Sequence, residues 1–167
     1  KQGEDITSED IDFFYECYCE TYRLHNSTPY LQKYFFYELA KTIPNKLLII
    51  IAKKNGISIA SAFNIIGEDS LYGRYWGALE FFSGLHFELC YYQGQEFCIE
   101  NKIKFFEGGA QGEHKLARGF KPFDTYSNHF IAQSDFRVAI SNFLDDERSR
   151  INEYSNELEE RTPYKKA

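Results

Sequence analysis

The chain has 167 residues, enough for one hydrophobic core of ordinary size, and no proline- or serine-rich linker divides it. Its 43% hydrophobic and 26% charged residues are typical of a globular domain and leave little room for a long disordered tract. A net charge of -6 argues against a surface that tracks nucleic-acid phosphates, and no apolar run approaches the roughly 18 residues of a membrane span. Because the four cysteines lie in predicted helices rather than in a disulfide scaffold, we expect a cytoplasmic protein.

The first 45 residues predict two helices. Thr7 with Asp10 resembles a capping box at the start of the first helix. Thr28 followed by Pro29 indicates the start of the second helix, which should end before Pro44. The expected buried stripes are Ile11, Phe14, Tyr15, Tyr18 and Tyr22 in the first helix and Leu31, Phe35, Leu39 and Ala40 in the second.

A three-stranded meander is predicted next. Its strands are residues 47–53, 57–66 and 70–78. Asn55-Gly56 predicts a tight hairpin between the first two, since both turn positions need positive φ. In the third strand Tyr72, Arg74 and Trp76 should share one face, so that aromatic rings flank Arg74.

A helix over residues 86–101 and a short buried strand over 103–107 follow. The expected buried face of this helix consists of Phe87, Cys90, Tyr91, Gly94, Phe97 and Cys98. The strand leads directly into Gly108-Gly109. A strand that follows a crossover helix favours parallel pairing, with a site at its carboxyl end.

The last part of the chain predicts one more strand, over residues 122–132, and a terminal helix capped by Ser134 or Asp135. The apolar stripe of that helix would be Phe136, Ile140, Phe143, Leu144, Ile151 and Leu158. We expect residues 159–167 to form a frayed tail and residues 1–167 to form a single domain.

Reactive side chains are densest between residues 107 and 121. They are Glu107, Gln111, Glu113, His114, Lys115, Arg118 and Lys121, with glycines between them. A proton acceptor, a cation for a developing oxyanion and backbone amides are the combination that acyl transfer needs, although a solvated loop would have a similar composition. The glycine-to-lysine spacing is not that of a P-loop. We expect no metal site, because His86, Glu88, His114 and His129 lack the i, i+4 spacing of zinc ligands on a helix.

Three stretches carry a family resemblance: LYGRYWG at residues 71–77, LHFELCYYQ at 85–93 and EGGAQGEHKLARGF at 107–120. They resemble bacterial predicted N-acyltransferases named for peptidoglycan biosynthesis, a family of the GNAT superfamily near the FemABX aminoacyl-transferases. The resemblance implies a mixed α/β fold of the GNAT (acyl-CoA N-acyltransferase-like) type, with an antiparallel meander, a helix, a parallel-paired strand and a C-terminal helix. It also implies that this chain is the C-terminal half of a longer two-domain protein, whose missing N-terminal half would be a partner.

The resemblance further implies transfer of an acyl or aminoacyl group to a small-molecule or peptide amine, such as a cell-wall precursor. Lys115, followed by Gly119-Phe120, matches a lysine near the reacting centre of the FemABX relatives. Lys115 would stabilise the oxyanion, and Glu113 or His114 would take the proton. The expected substrate-binding residues are Arg74, Tyr72, Trp76, Glu107, Gln111 and Arg118.

The acyl donor is left open between aminoacyl-tRNA and acyl-CoA, and nucleic acid is an expected partner only in the first case. GNAT enzymes hold CoA pyrophosphate in a glycine-rich turn before a helix, and here that turn contains only Gly84, which argues against CoA. A non-catalytic module that recognises a cell-wall precursor or a partner protein is the alternative function.

Overall fold

The computed structural model describes residues 1–109 and 112–161, and the chain divides into two units, Lys1–Ala110 and Gln111–Ala167. In the first unit, the helices are α1 (Ser8–Leu24), α2 (Lys33–Thr42) and α3 (residues 85–100), and the strands are β1 (Leu47–Lys54), β2 (Ile57–Ile66), β3 (Ser70–Ala78) and β4 (Phe105–Glu107). The second unit contains a 3₁₀ helix, Glu113–Arg118, and the long helix α4, Ser134–Glu160.

The four strands form one sheet in the order β1-β2-β3-β4. The first three pair antiparallel, and β4 pairs parallel to β3, as the crossover through α3 predicts. Asn55 and Gly56 both have positive φ, 52° and 83°, and they form the predicted hairpin turn. The mixed α/β fold, with its meander, parallel-paired strand and C-terminal helix, is therefore confirmed and is consistent with a GNAT-like fold.

One face of the sheet is covered by α1 and α2. Buried aromatic and aliphatic side chains fill this core, and they are Ile11, Phe14, Tyr18, Phe36, Leu47, Ile49 and Phe63. The predicted capping box of α1 is present: the Asp10 amide donates to the Thr7 hydroxyl, and the Thr7 amide donates to the Asp10 carboxylate at 2.8 Å. Local sequence therefore correctly predicted the start of α1, the helix that positions this core.

The start of α2 differs from the prediction. The helix begins at Lys33 with Gln32 as N-cap, rather than at Thr28-Pro29. Leu31 is held in the preceding segment by α1, because its amide donates to the Tyr18 hydroxyl and its carbonyl accepts from the Tyr15 hydroxyl. These tertiary contacts override the local proline signal, and Phe36 rather than Phe35 enters the core.

The opposite face of the sheet is covered by α3. Leu85–Phe87 and Gln93–Glu100 are α-helical, and Glu88–Tyr92 between them is a π-helix. Leu89 is buried there against Ala60 and Ala62, although the predicted stripe omits it. The extra residue in the π turn rotates the helix surface, so a strict 3.6-residue period misplaces Leu89.

Strand β3 contains a bulge, which corrects the predicted common face of Tyr72, Arg74 and Trp76. Phe63 pairs with Tyr75 and Asn64 pairs with Gly73, so Arg74 is an extra residue without a partner on β2. The alternation changes across a bulge. Leu71 accordingly packs in the cluster under α3, whereas Tyr75, four residues later, packs in the cluster under α1.

Two further predictions in the second half of the chain are wrong. Strand β4 covers only Phe105–Glu107 and is not buried, since Phe105 is 61% exposed. Residues 120–133 contain no strand, and Phe123, Tyr126 and Phe130 among them are exposed. Alternating apolar residues need a neighbouring strand to pair with, and residues 120–133 pair with none in the described part of the chain.

Helix α4 begins at Ser134 with Gln133 as N-cap, and no side chain caps it. Most of its predicted apolar stripe is solvent-exposed rather than buried: Phe136, Ile140, Phe143 and Ile151. Glu159 and Glu160 are helical, and the rest of the predicted frayed tail, from residue 162, lies outside the described residues. The single-domain prediction stays a prediction.

Candidate functional site

The carboxyl end of β4 lies beside the middle of β3. Their pairing ends with Tyr72 and Glu107, and β3 continues to Ala78. Gly109 has a φ of 79°, the left-handed region that favours glycine, and it lies next to the Gly73 carbonyl of β3. The end of a parallel strand that runs into glycines is the predicted place for a site, and the structure brings Glu107 and Tyr72 together there.

Arg74 follows immediately on β3, at the bulge. Its guanidinium lies 5.3 Å from the centre of the Tyr72 ring, within cation–π range. No salt bridge joins Arg74 to Glu107 or to any other carboxylate among the described residues. Arg74 and Glu107 therefore form no ion pair there, and the guanidinium is available to a ligand.

A cavity of about 350 Å³ opens between the C-terminal end of α1 and β3. We call it the α1–β3 cavity. Its lining residues are Tyr18, Thr21, Tyr22, His25, Ser27, Arg74, Tyr75 and Trp76. Four are aromatic and four carry polar or charged groups, which suits a ligand that has both an apolar and a polar part.

The C-terminal turn of α1 is tied down by a Schellman motif. Asn26 adopts a left-handed conformation with φ 51°, its amide donates to the Arg23 carbonyl, and the Ser27 amide donates to the Tyr22 carbonyl at 2.9 Å. His25 and Ser27 line the cavity although neither was predicted as a site residue. An asparagine directly after the helix is the local signal for such a cap, but it does not reveal that β3 lies opposite.

Contacts between α1 and β3 fix the cavity walls. The Thr21 hydroxyl donates to the Trp76 carbonyl at 2.8 Å. A methyl group on Gly77 would lie 1.8 Å from the Cys17 carbonyl oxygen, so only glycine permits the helix to approach this closely. The two elements consequently pack backbone against backbone beside the cavity.

Two tyrosines of the cavity, Tyr75 and Tyr18, stay protonated at neutral pH. Burial raises the pKa of Tyr75, and the neighbouring hydroxyl of Tyr30, 2.7 Å away, raises the pKa further. Burial likewise raises the pKa of Tyr18, with a contribution from the Tyr22 hydroxyl. Arg74 is thus the lining residue whose side chain is always charged.

The Trp76 ring also packs against α3, which covers the opposite face of the sheet. The ring of His86 in α3 lies 4.5 Å from the Trp76 ring, and the Tyr91 ring lies 5.3 Å from His86. His86 therefore packs between aromatic rings. Stacking, rather than the helix capping that its position suggests, accounts for its place in the fold.

In the second unit, the predicted catalytic residues share the 3₁₀ helix Glu113–Arg118. Its ends are held by backbone bonds: the Lys115 amide donates to the Gly112 carbonyl at 3.0 Å, and the Phe120 amide donates to the Lys115 carbonyl at 3.2 Å. The His114 ring packs on Gly112, where an added methyl group would lie 2.4 Å from His114 Cε1. The glycines of this motif therefore shape the turn that carries Glu113, His114 and Lys115.

Glu113 is engaged within its own unit. Its carboxylate accepts a hydrogen bond from the Tyr154 hydroxyl at 2.8 Å and pairs with the Arg161 guanidinium at 3.1 Å. The hydrogen bond to Glu113 raises the pKa of Tyr154. Glu113 thereby connects the 3₁₀ helix to the end of α4, which is a positioning arrangement.

The site residues predicted from sequence thus fall into two groups. Tyr72, Arg74, Trp76 and Glu107 belong to the first unit, and Glu113, His114, Lys115 and Arg118 belong to the second. Gln111 lies outside the described residues. Among residues 1–109 and 112–161, no cluster of three histidine, cysteine or acidic side chains is arranged to hold a metal ion.

Comparison with known proteins gives the family. The model of the FemAB-like family, described as peptidoglycan biosynthesis/recognition, matches residues 1–166. The chain belongs to this family, and the family places it in peptidoglycan biosynthesis or recognition. No curated protein matches the chain. Within the part of the chain that the structure describes, no helix is both long enough and apolar enough to span a membrane.

Proposed function

We propose that this protein is an N-acyltransferase that moves an activated acyl or aminoacyl group to the amine of a cell-wall precursor. The observation that supports it best is the junction at the end of β4, where Glu107 and two glycines leave the sheet beside Tyr72 and Arg74. The same glycine-rich segment continues along the chain into the turn that carries His114 and Lys115.

The reaction is direct attack of the acceptor amine on the acyl carbonyl. A C–N bond forms, and the bond between the carbonyl carbon and the oxygen or sulfur of the donor breaks with its electron pair. The Lys115 ammonium stabilises the oxyanion, an effect of about 3–4 kcal/mol for a preorganised donor. His114 takes the proton from the attacking amine.

The contacts of Glu113 suit a positioning role better than the role of proton acceptor. A carboxylate that is bound to Tyr154 and Arg161 has fewer lone pairs free for a substrate proton. Glu113 then acts as a positioning residue for the 3₁₀ helix. A Glu113→Gln variant should keep most of the activity, whereas His114→Ala should lose it.

The donor remains an activated acyl group, as aminoacyl-tRNA or acyl-CoA, and tRNA is a partner only in the first case. The turn before α3 supports the tRNA ester over CoA. Gly84 is its one glycine, and the Leu85 amide already donates to the Phe82 carbonyl at 3.2 Å, which leaves fewer amides for a pyrophosphate.

Product analysis tests the proposal. The protein is incubated with mixed aminoacyl-tRNA and acyl-CoA donors and a cell-wall precursor extract, and acylated amines are sought by mass spectrometry. We expect one new amide that is absent with His114→Ala. The enzymatic proposal would be contradicted if wild type and His114→Ala formed the amide equally. It would also be contradicted if the protein bound the precursor but formed no amide.

The second candidate function is that of a recognition module. The α1–β3 cavity supports it, because a cavity with aromatic and polar walls can bind a ligand without catalysing any reaction. Saturable binding of a precursor without any turnover distinguishes this function from acyl transfer.

A further inference from the structure

The α1–β3 cavity contains residues that the reaction scheme does not use. We infer that it binds an oxyanion, a phosphate or a carboxylate, with Arg74 as the cation and the end of α1 as the opposite wall. The inference rests on the proposed function only in taking the bound group to be part of the acceptor.

The charge of the cavity favours an anion. Arg74 has no carboxylate partner among the described residues, and the Tyr72 ring supports its guanidinium from one side at 5.3 Å. A guanidinium presents several N–H donors in one plane and can bind two oxygens of a phosphate or carboxylate together. Tyr18 and Tyr75 stay neutral and add no negative charge.

The end of a helix normally disfavours an anion, because its last carbonyl oxygens point outward. Here three carbonyls of the last turn accept hydrogen bonds. The Thr21, Tyr22 and Arg23 oxygens accept hydrogen bonds from the amides of His25, Ser27 and Asn26, at 3.2, 2.9 and 3.1 Å respectively. The Schellman motif thus weakens the unfavourable field, while the side chains of His25 and Ser27 line the cavity.

The remaining walls suit a ring or a short apolar group next to the anion. Tyr22 and Tyr75 supply aromatic surface, Trp76 borders the cavity, and about 350 Å³ is the size of a small ligand rather than of a polymer. The ligand class is therefore a small molecule, or the end of a larger one, that carries an oxyanion beside a planar or apolar part.

Trp76 makes the inference directly measurable. It is the only tryptophan of the chain and it lines the cavity, so its fluorescence reports occupancy. Phenyl phosphate, benzoate and the neutral benzyl alcohol serve as probes and are titrated into the full chain. We expect one of the two anions to bind at least tenfold more tightly than benzyl alcohol, and the tighter anion tells a phosphate from a carboxylate.

Variants of Arg74 and Arg23 show whether Arg74 itself, rather than the overall positive charge, determines anion binding. Arg74→Gln should weaken binding of the preferred anion at least tenfold, and Arg74→Lys should weaken it less. Arg23→Gln is the matched control, because the exposed Arg23 lies near the same end of α1, pairs with Glu20 and does not line the cavity. The Arg23→Gln variant should change the affinity for the preferred anion less than twofold.

Equal affinity for anions and benzyl alcohol would overturn the inference, as would an Arg74→Gln variant that folds normally by circular dichroism and binds the anions like wild type. These outcomes are independent of turnover. Acyl transfer that persists while probe binding fails contradicts this inference and leaves the proposed function standing.

Discussion

Gly77→Ala tests the packing of α1 on β3, which builds the cavity. The added methyl group would lie 1.8 Å from the Cys17 carbonyl oxygen and 2.4 Å from its carbonyl carbon. A carbon and a carbonyl oxygen normally approach to about 3.3 Å, so helix and strand must separate by roughly 1.5 Å. Helix backbone cannot rotate aside as a side chain can.

The expected loss in the free energy of unfolding depends on whether backbone or only a side chain has to move. Overpacking typically costs 1–3 kcal/mol, and because backbone must shift here we expect a loss of about 3 kcal/mol in the free energy of unfolding. Gly94→Ala is the matched control. The nearest atoms to its methyl group would be those of the Phe106 ring, a side chain, at 2.5 Å, and alanine is favoured in a helix by about 1 kcal/mol, so its net loss should be about 1 kcal/mol or less.

Urea unfolding followed by Trp76 fluorescence measures both variants, since Trp76 adjoins Gly77 and lies in the first unit. Gly77→Ala should also lose binding at the α1–β3 cavity. A loss below about 0.5 kcal/mol, or a loss equal to that of Gly94→Ala, would refute the reasoning.

Three further predictions concern α1. Burial would raise the pKa of Asp10, but hydrogen bonds from Lys1 and Thr7 outweigh burial and lower this pKa in the folded protein. The stability that Asp10 contributes is therefore fully present above its unfolded pKa of about 3.9, and it is lost as the pH falls through the lower pKa of the folded state. Asp10→Asn should cost about 1 kcal/mol at pH 7 and flatten this acid dependence in urea titrations, and an unchanged profile would contradict it. Burial raises the pKa of the Cys17 thiol to about 12, so a thiol reagent at pH 8 should label Cys17 only after unfolding, and rapid labelling of the native protein would be inconsistent with its burial. Asn26→Ala should destabilise α1 by about 1 kcal/mol in thermal unfolding because Asn26 has positive φ, whereas Asn26→Gly should be near neutral; equal losses would exclude the left-handed cap.

Local signals predicted much of the sheet. The Asn55-Gly56 turn, the bounds of β2 and β3 and the capping box of α1 depend on residues close in sequence, and the structure confirms each of them. Such features follow from φ preferences and hydrogen bonds that short segments make by themselves.

Long-range packing decided the features that were missed. Contacts from α1 hold Leu31 out of α2, the π turn rotates Leu89 inward, and the bulge at Arg74 changes the alternation of β3. The cavity itself needs α1 and β3 side by side, which explains why His25 and Ser27 carried no functional signal in the sequence.

In the proposed reaction, Lys115 stabilises the oxyanion of the acyl transfer. The most direct test of this role is the kcat/KM of Lys115→Ala on the donor and acceptor identified by product analysis, with Lys121→Ala as the matched surface control. We expect a fall of about 10²–10³-fold in kcat for Lys115→Ala, little change in the acceptor KM and near-normal rates for Lys121→Ala. Equal kcat values for wild type and Lys115→Ala would contradict it.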